Sequence, residues 1–289
     1  MAGGTLYLCA TPIGNLSDVT LRVLDVLKNV DYIAAEDTRQ TKKLLSHYGI
    51  SASLISYHEH NKLVAGERVL GLLEEGKDVA LVTDSGTPAI SDPGQELVSA
   101  AIERGFALQV VPGPSAALAG LVVSGLPTSR FVFEGFLPRK GKERAERLRQ
   151  LAAEPRTMII YESPRRVVKT LEDLAEQLGI DRRCSLSREL TKKFEETIRG
   201  TIGEVLAQLR GREVKGECVL VVAGTGTETS GNGASLIKGR PELQAMVSSY
   251  AEVLLAQGCT RRDVALRISE ALGCPRREVY RLIGGIDRD

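Results

Sequence analysis

From Thr5 to Gly224, short β-branched and apolar runs alternate with amphipathic stretches, and nothing else in the chain restricts its fold as strongly. Strand-like runs separated by helix-length segments predict an α/β architecture with a largely parallel sheet. The strand candidates form two groups. TLYLCA, DYIAA, SLISY, VALVT and ALQVV end near Val111, and RFVFEGF, TMIIYE, RCSLSR and CVLVVAG begin near Phe131. Between the groups, PGPSAALAGLVVSGLPTS reads as a helix joining two lobes. Two further helices carry boundary signals. SDVTLRVLDVLKN offers Ser17 or Asp18 as cap and sets Val19, Val23, Leu24 and Leu27 on one face. SPRRVVKTLEDLAEQLG has Ser163 as cap, Pro164 at the first helical position and Gly179 as stop.

The expected organisation is an N-terminal α/β lobe over 1–113, a second α/β lobe over 114–225, a flexible Gly/Ser/Thr-rich linker over 226–239, and a helical domain over 240–289. In the last of these, two helical stretches flank a turn containing Gly273 and Pro275, a helix-turn-helix-like shape. A length of 289 residues accommodates this plan, and 43% apolar with 26% charged residues is globular composition. The net charge of +1 gives no strong overall field, so nucleic-acid contact must come from local basic patches. Cys9, Cys184, Cys218, Cys259 and Cys274 are odd in number, scattered and never paired as C-x-x-C. That pattern argues against a disulfide framework or zinc site and fits a reducing cytoplasm. MAGGTLYLCATPIG lacks the charge and length of a signal peptide, and no run reaches membrane-spanning length.

In open α/β sheets, ligands bind beyond the carboxyl ends of the strands. Here those ends carry Thr11, Pro12, Gly14 and Asn15; Glu36, Asp37, Thr38 and Arg39; His58, Glu59, His60 and Asn61; then TDSGTPAISDPG; then PGPSA. Each has a simpler reading alone. TPIGN is an ordinary turn, EDTRQT can open a helix whose dipole favours acids, and DSGTPAISDPG can be two stacked turns. HEH lacks a third clustered ligand, so no metal is expected. Five such ends in succession point instead to a ligand site. VALVTDSGTPAISDPG contains no Lys or Arg, which makes a phosphate cradle the wrong reading.

ATPIGNLSDVTLR, AAEDTRQTKKLL, SYHEHN, TDSGTPAISDPG, VPGPSAALAGLVVSGLPT, FEGFLPRK, YESPRR, SRELTKKFEE and KGECVLVVAG occur in one order over nearly the whole chain. As a set they resemble the tetrapyrrole methylase superfamily, and within it the branch that acts on small-subunit ribosomal RNA. The resemblance implies two α/β lobes that clasp S-adenosylmethionine between them, usually as a homodimer. It implies 2′-O-methylation of a cytidine ribose in the decoding region of 16S ribosomal RNA. A sulfonium cofactor explains the missing phosphate-binding lysine. Carried over, its contacts are Pro12, Ile13, Gly86, Thr87, Pro88, Ile90, Ser115 and Ala116 in the first lobe. Tyr161, Glu162, Leu190, Glu217 and Cys218 follow in the second. Relatives acting on tetrapyrroles or on modified histidine carry GDP where this chain has Gly86-Thr87-Pro88, so no direct side-chain contact is expected at Thr87.

Methyl transfer from a sulfonium releases a neutral leaving group, so the enzyme must align the nucleophile and accept its proton. Glu36, Asp37 and His58 are the candidate bases, with Arg39, Lys140 and Arg166 holding phosphates or orienting the hydroxyl. The alternative is that Glu36 and Asp37 merely pair with Arg39 and Lys42. Arg139 to Gln150 holds six basic and two acidic residues. With Arg139 and Lys142 there, and Arg165, Arg166, Arg188, Lys192 and Lys193 in other loops, the expectation is RNA phosphate contact. Arg261 to Arg288 holds seven Arg against four acids, which suits an accessory RNA-contacting or assembly module. The expected partner is small-subunit RNA or the assembled subunit, with no membrane and no metal. Two rival readings remain open: a methylase of the same fold acting on a tetrapyrrole precursor, and a non-catalytic RNA-binding assembly factor.

Overall fold

The computed structural model describes residues 3–226, 241–272 and 276–284. The linker from 227 onward and the turn at Gly273 and Pro275 lie outside the described residues. Two five-stranded sheets carry the body of the chain. The first has strands β1 (Thr5–Cys9), β2 (Tyr32–Ala35), β3 (Ser53–Ser56), β4 (Val79–Val82) and β5 (Ala107–Val111). They run parallel in the order β3-β2-β4-β1-β5. Helices α1 (Leu21–Asn29), α2 (Thr38–His47), α3 (Lys62–Glu74) and α4 (Gln95–Glu103) connect them. Every residue of VALV in β4 is buried, as a strand covered on both faces requires, whereas edge strands β3 and β5 each bury one residue, Ile55 and Val111.

The second sheet contains β6 (Phe131–Phe136), β7 (Thr157–Glu162), β8 (Arg183–Arg188), β9 (Glu196–Thr201) and β10 (Cys218–Val222). Its order is β6-β7-β10-β8-β9. Only β6 and β7 are parallel, and β10 runs antiparallel to both neighbours. The largely parallel expectation therefore holds for the first sheet and fails for the second. β8 and β9 form a hairpin, and a hairpin needs no crossover helix to return the chain. Helices α5 (Ala116–Ser124), α6 (Gly141–Ala152), α7 (Val167–Leu178) and α8 (Ile202–Leu209) complete this half.

Two helix starts differ from expectation. The cap of α1 is Thr20, whose hydroxyl accepts from Val23 N, because Leu16–Asp18 form a separate 3-10 turn. In α7 the helix begins at Val167, since Ser163 O accepts from both Arg166 N and Val167 N in a preceding turn, while Gly179 ends it at φ 91°. The C-terminal helices α9 (Pro241–Ala256), α10 (Arg261–Leu272) and α11 (Arg276–Ile283) pack on one another around Val247, Ala251, Leu254, Val264, Ile268, Val279 and Ile283.

Candidate active site

The carboxyl ends of the central strands β4 and β1 open onto the second half. Thr11 and Gly86 exchange backbone hydrogen bonds of 2.8 and 3.1 Å, and the Thr11 hydroxyl donates to Thr83 O at 2.9 Å. These bonds fasten the first loop to the fourth. Within the fourth loop Gly86 has φ 85°, and the non-glycine residues Ala89 and Ser91 have φ 66° and 65°. Left-handed backbone at such residues costs roughly 1–3 kcal/mol each and persists where surrounding structure holds it, as at ligand sites. From the other side, Glu189 and Thr191 also take positive φ, and Thr191 Oγ1 accepts from Asn15 N at 3.1 Å. Ile13 is buried among Ala117, Leu121, Leu190 and Val219, so the first loop inserts into the core of the second half.

Between the halves lies a cavity of about 340 Å³. That is within the roughly 300–1,000 Å³ of small-ligand sites. Ile13, Ser85, Gly86, Thr87, Ile90, Ser91, Asp92, Ser115, Ala116, Phe136, Tyr161, Glu162, Ser163, Pro164, Glu217, Cys218 and Val219 line it. Tyr161 stacks edge-on against Phe133 at 5.0 Å and Phe136 at 5.7 Å, forming an aromatic wall. The lining contains three acids and no Lys, Arg or His.

Those acids differ in what binds them. Glu162 accepts from Ser163 N at 2.8 Å and Thr170 Oγ1 at 2.7 Å and pairs with Arg166 at 3.2 Å, so it anchors the wall. Glu217 accepts from Lys192 Nζ at 3.0 Å. Asp92 accepts only from Thr83 Oγ1, at 2.7 Å, among the described residues. Burial is the main cause that raises its carboxyl to about 6, with Glu36, Asp84 and Glu217 adding to the shift.

Of the expected cofactor contacts, Ile13, Gly86, Thr87, Ile90, Ser115, Ala116, Tyr161, Glu162, Glu217 and Cys218 line the cavity. Pro12, Pro88 and Leu190 do not; Leu190 is packed into the core beneath Ile13. Cys218 is inert, because burial pushes its thiol up to about 12. None of Glu36, Asp37 and His58 lines the cavity. Asp37 caps α2 and holds Arg39 at 2.7 Å, and the Arg39 guanidinium lowers its carboxyl to about 2. The pairing alternative describes Asp37 and Arg39. His58 follows edge strand β3, two strands from β4 and so roughly 10 Å away at the usual sheet spacing. Glu36 lies closer, accepting from Thr83 Oγ1 at 2.8 Å. Lys140 caps α6 on the exposed surface.

The basic residues separate likewise. Arg166 pairs with Glu162, Arg188 with Glu196 at 2.6 Å, and Lys192 bridges Glu189 and Glu217. Within α6, Arg144 is buried against Asp173, while Arg147 and Arg149 pair with Glu134 and Glu146. Arg139, Lys140, Lys142, Arg165 and Lys193 are exposed with no ion pair among the described residues. No group of three or more His, Cys, Asp or Glu among those residues is arranged for a metal ion.

Residues 5–206 match the family model of the tetrapyrrole (corrin/porphyrin) methylases. The chain belongs to the tetrapyrrole methylase family. A "Ribosomal RNA small subunit methyltransferase I" of Halalkalibacterium halodurans is 46% identical over 96% of this chain and 94% of that protein. The protein of the same name from Synechocystis is 45% identical over 99% of both chains. Among solved structures, the cobalt precorrin-4 methyltransferase of cobalamin biosynthesis overlays with a TM-score of 0.60 at 18% identity, over 76% of this chain and 94% of its own. Uroporphyrin-III C-methyltransferase from Thermus thermophilus, complexed with S-adenosylhomocysteine, gives 0.55 at 21%, over 76% and 97%. These two share the fold of this family member, whose C-terminal helices lie beyond the matched residues 5–206.

Sequence reasoning omitted Ser85, Ser91, Asp92, Phe136, Ser163, Pro164 and Val219. For the first three the signal was available, since they lie within the same Gly/Pro-rich loop as Gly86 and Thr87. Phe136 and Val219 need the order of the second sheet.

Proposed function

We propose that this chain is an S-adenosylmethionine-dependent methyltransferase acting on small-subunit ribosomal RNA. The observation that carries the reading is its likeness, over nearly the whole of both chains, to relatives that bear that name. The cavity fits the cofactor chemically. Apolar and aromatic walls from Ile13, Ile90, Phe136, Tyr161 and Val219 suit a nucleoside, and an acid-bearing lining free of cationic side chains suits a sulfonium and disfavours phosphates. Gly86, Ser115 and Ala116 would hold the nucleoside through small side chains and backbone. When bound, the cofactor supplies an electrophilic methyl group whose departure leaves a neutral thioether.

The substrate atom is the ribose 2′-oxygen of a cytidine in the decoding region. This chain's own task is to orient that hydroxyl, exclude water with the aromatic wall and accept one proton. Arg139, Lys140, Lys142, Arg165 and Lys193 form the phosphate-contacting surface, since their charges are not neutralised by partners. The chain works as a homodimer. The site of action is the cytoplasm, and no described helix is long and apolar enough to cross a membrane.

Mass-spectrometric mapping of ribose methylation in small-subunit RNA, from cells with and without the gene, tests this reading. One cytidine should lose its 2′-O-methyl group in the deletion and regain it on complementation. An unchanged methylation map would refute it.

A further inference from the structure

Thr83, at the end of β4, has one hydroxyl proton and two carboxylate neighbours. Its Oγ1 lies 2.8 Å from Glu36 Oε2 and 2.7 Å from Asp92 Oδ2. Both separations are those of O–H···O hydrogen bonds, and each bond needs a proton. A hydroxyl supplies one. With Asp92 protonated, below about pH 6, both contacts are hydrogen bonds at once; with Asp92 ionised, the hydroxyl serves one carboxylate at a time.

Glu36 Oε2 also accepts from Asp84 N at 3.3 Å. Asp92 has no other donor among the described residues, and burial favours its neutral form. Once ionised, Asp92 accepts the Thr83 hydroxyl proton, the direction in which this contact lowers its midpoint. Asp92 lines the cavity and Glu36 does not.

Resting on the methyltransferase reading above, we propose that Asp92 is the catalytic proton acceptor for the substrate hydroxyl, and that Thr83 and Glu36 are positioning residues that conduct its proton out of the cavity. A sulfonium cation in the same cavity favours ionised Asp92, so a proton held there below about pH 6 leaves along Thr83 toward Glu36 as cofactor binds. In the transfer, the substrate oxygen forms a bond to the methyl carbon and gives its proton to Asp92. The carbon–sulfur bond breaks with its electron pair on sulfur. The Thr83 relay then resets the site.

The titratable groups facing Asp92 are Glu36 after β2, Asp84 after β4, Glu217 before β10 and the Tyr161 phenol on β7. All three carboxylates oppose its ionisation, and the Thr83 hydrogen bond alone assists it. The signs of the variants follow. Removing the Glu36 charge in E36Q lowers the Asp92 midpoint, whereas removing the hydroxyl in T83V raises it.

Calorimetric titration of the full chain with S-adenosylmethionine and with neutral-sulfur S-adenosylhomocysteine, from about pH 5 to about pH 8, reads this without turnover. The affinity for the sulfonium form should rise severalfold through about pH 6 relative to the thioether, with proton release. D92N should abolish that difference and reduce methyl transfer to small-subunit RNA by about 10²–10⁴-fold, a general-base contribution. E36Q and T83V should displace the midpoint in opposite directions. A D92N protein that still transfers methyl within about threefold of the wild type, or midpoints unmoved in E36Q and T83V, would overturn the assignment. Should D92N not fold, the two midpoint shifts decide alone. A wild-type chain that methylates no ribosomal RNA would refute the functional reading, and the proton-linked titration would still report on Asp92.

Discussion

Gly120 is buried in α5, where that helix crosses β10. A Cβ built there falls 2.6 Å from Val219 Cγ1 and 3.1 Å from Val219 Cβ. Ordinary van der Waals contact requires a retreat of roughly 0.8 Å. Val219 is 4% exposed and lines the cavity, so it can yield chiefly by moving β10 or by turning into the ligand space. Gly→Ala in a helix gains about 1 kcal/mol, and overpacking a tight core costs about 1–3 kcal/mol. G120A should therefore lose about 1 kcal/mol, or roughly 2–4 °C in melting temperature. It should also weaken S-adenosylmethionine binding. V219A removes two methyl groups, at about 1.6 kcal/mol before any cavity term. The double variant removes the 2.6 Å contact, leaves the tighter-than-usual 3.1 Å Cβ–Cβ approach and keeps the helix gain, so the cycle should show about 1–2 kcal/mol of favourable coupling. Differential scanning calorimetry of the four proteins, with and without cofactor, measures it. Additive effects, or a G120A protein that melts and binds like the wild type, would refute the claim that helix–strand contact fixes this wall.

Three further outcomes follow from the structure. R144M should destabilise by about 2–3 kcal/mol in urea titration, below the usual ~3–5 for breaking a buried pair, because Lys169 still holds Asp173 at 2.9 Å. Iodoacetamide should leave Cys9, Cys184 and Cys218 unmodified until urea is added, since burial pushes each thiol up to about 12; peptide mass mapping checks this. Replacing Arg139, Lys142 and Arg165 together by Gln should flatten the salt dependence of RNA binding by about 2–3 in log–log slope with cofactor affinity unchanged, whereas an equal slope would remove these residues from the phosphate surface.

How much of this was legible in sequence depends on how far each feature relies on neighbours. VALV and CVLVV announced themselves because central strands buried on both faces need no alternation. β9 escaped because ETIRGT buries only Ile198 and then runs straight into the Thr201–Glu204 capping box of α8. Strand direction leaves no periodic mark, so the mixed directions of the second sheet were unreadable. Thr20 lost to Ser17 and Asp18 as a sequence candidate because three polar residues compete within four positions, and the 3-10 turn decides between them. The cavity was legible where one loop supplies several lining residues, as Gly86 to Ile90 does. It was not legible where a role arises from juxtaposition. Asp92 gains its significance from Thr83 and Glu36, which meet only because β2 lies beside β4.

A net charge of +1 conceals a segregation that the reaction needs. Arg166, Arg188 and Lys192, all near the second-half wall, are bound by Glu162, Glu196, Glu189 and Glu217, so no free cation faces the cavity among the described residues. The lining thus offers acids and no cationic side chain, which suits a sulfonium better than a phosphodiester. The unpaired cations stand outside, at Arg139, Lys142 and Arg165. On the proposed reading, an RNA backbone at these cations would stay outside the acid-lined cavity, and the part of a nucleotide that could approach Asp92 at low electrostatic cost is a neutral one. A ribose hydroxyl meets that condition. The same ion pairs that removed three arginine and lysine residues from the expected RNA surface thus keep the cavity selective for a cationic methyl donor and a neutral acceptor.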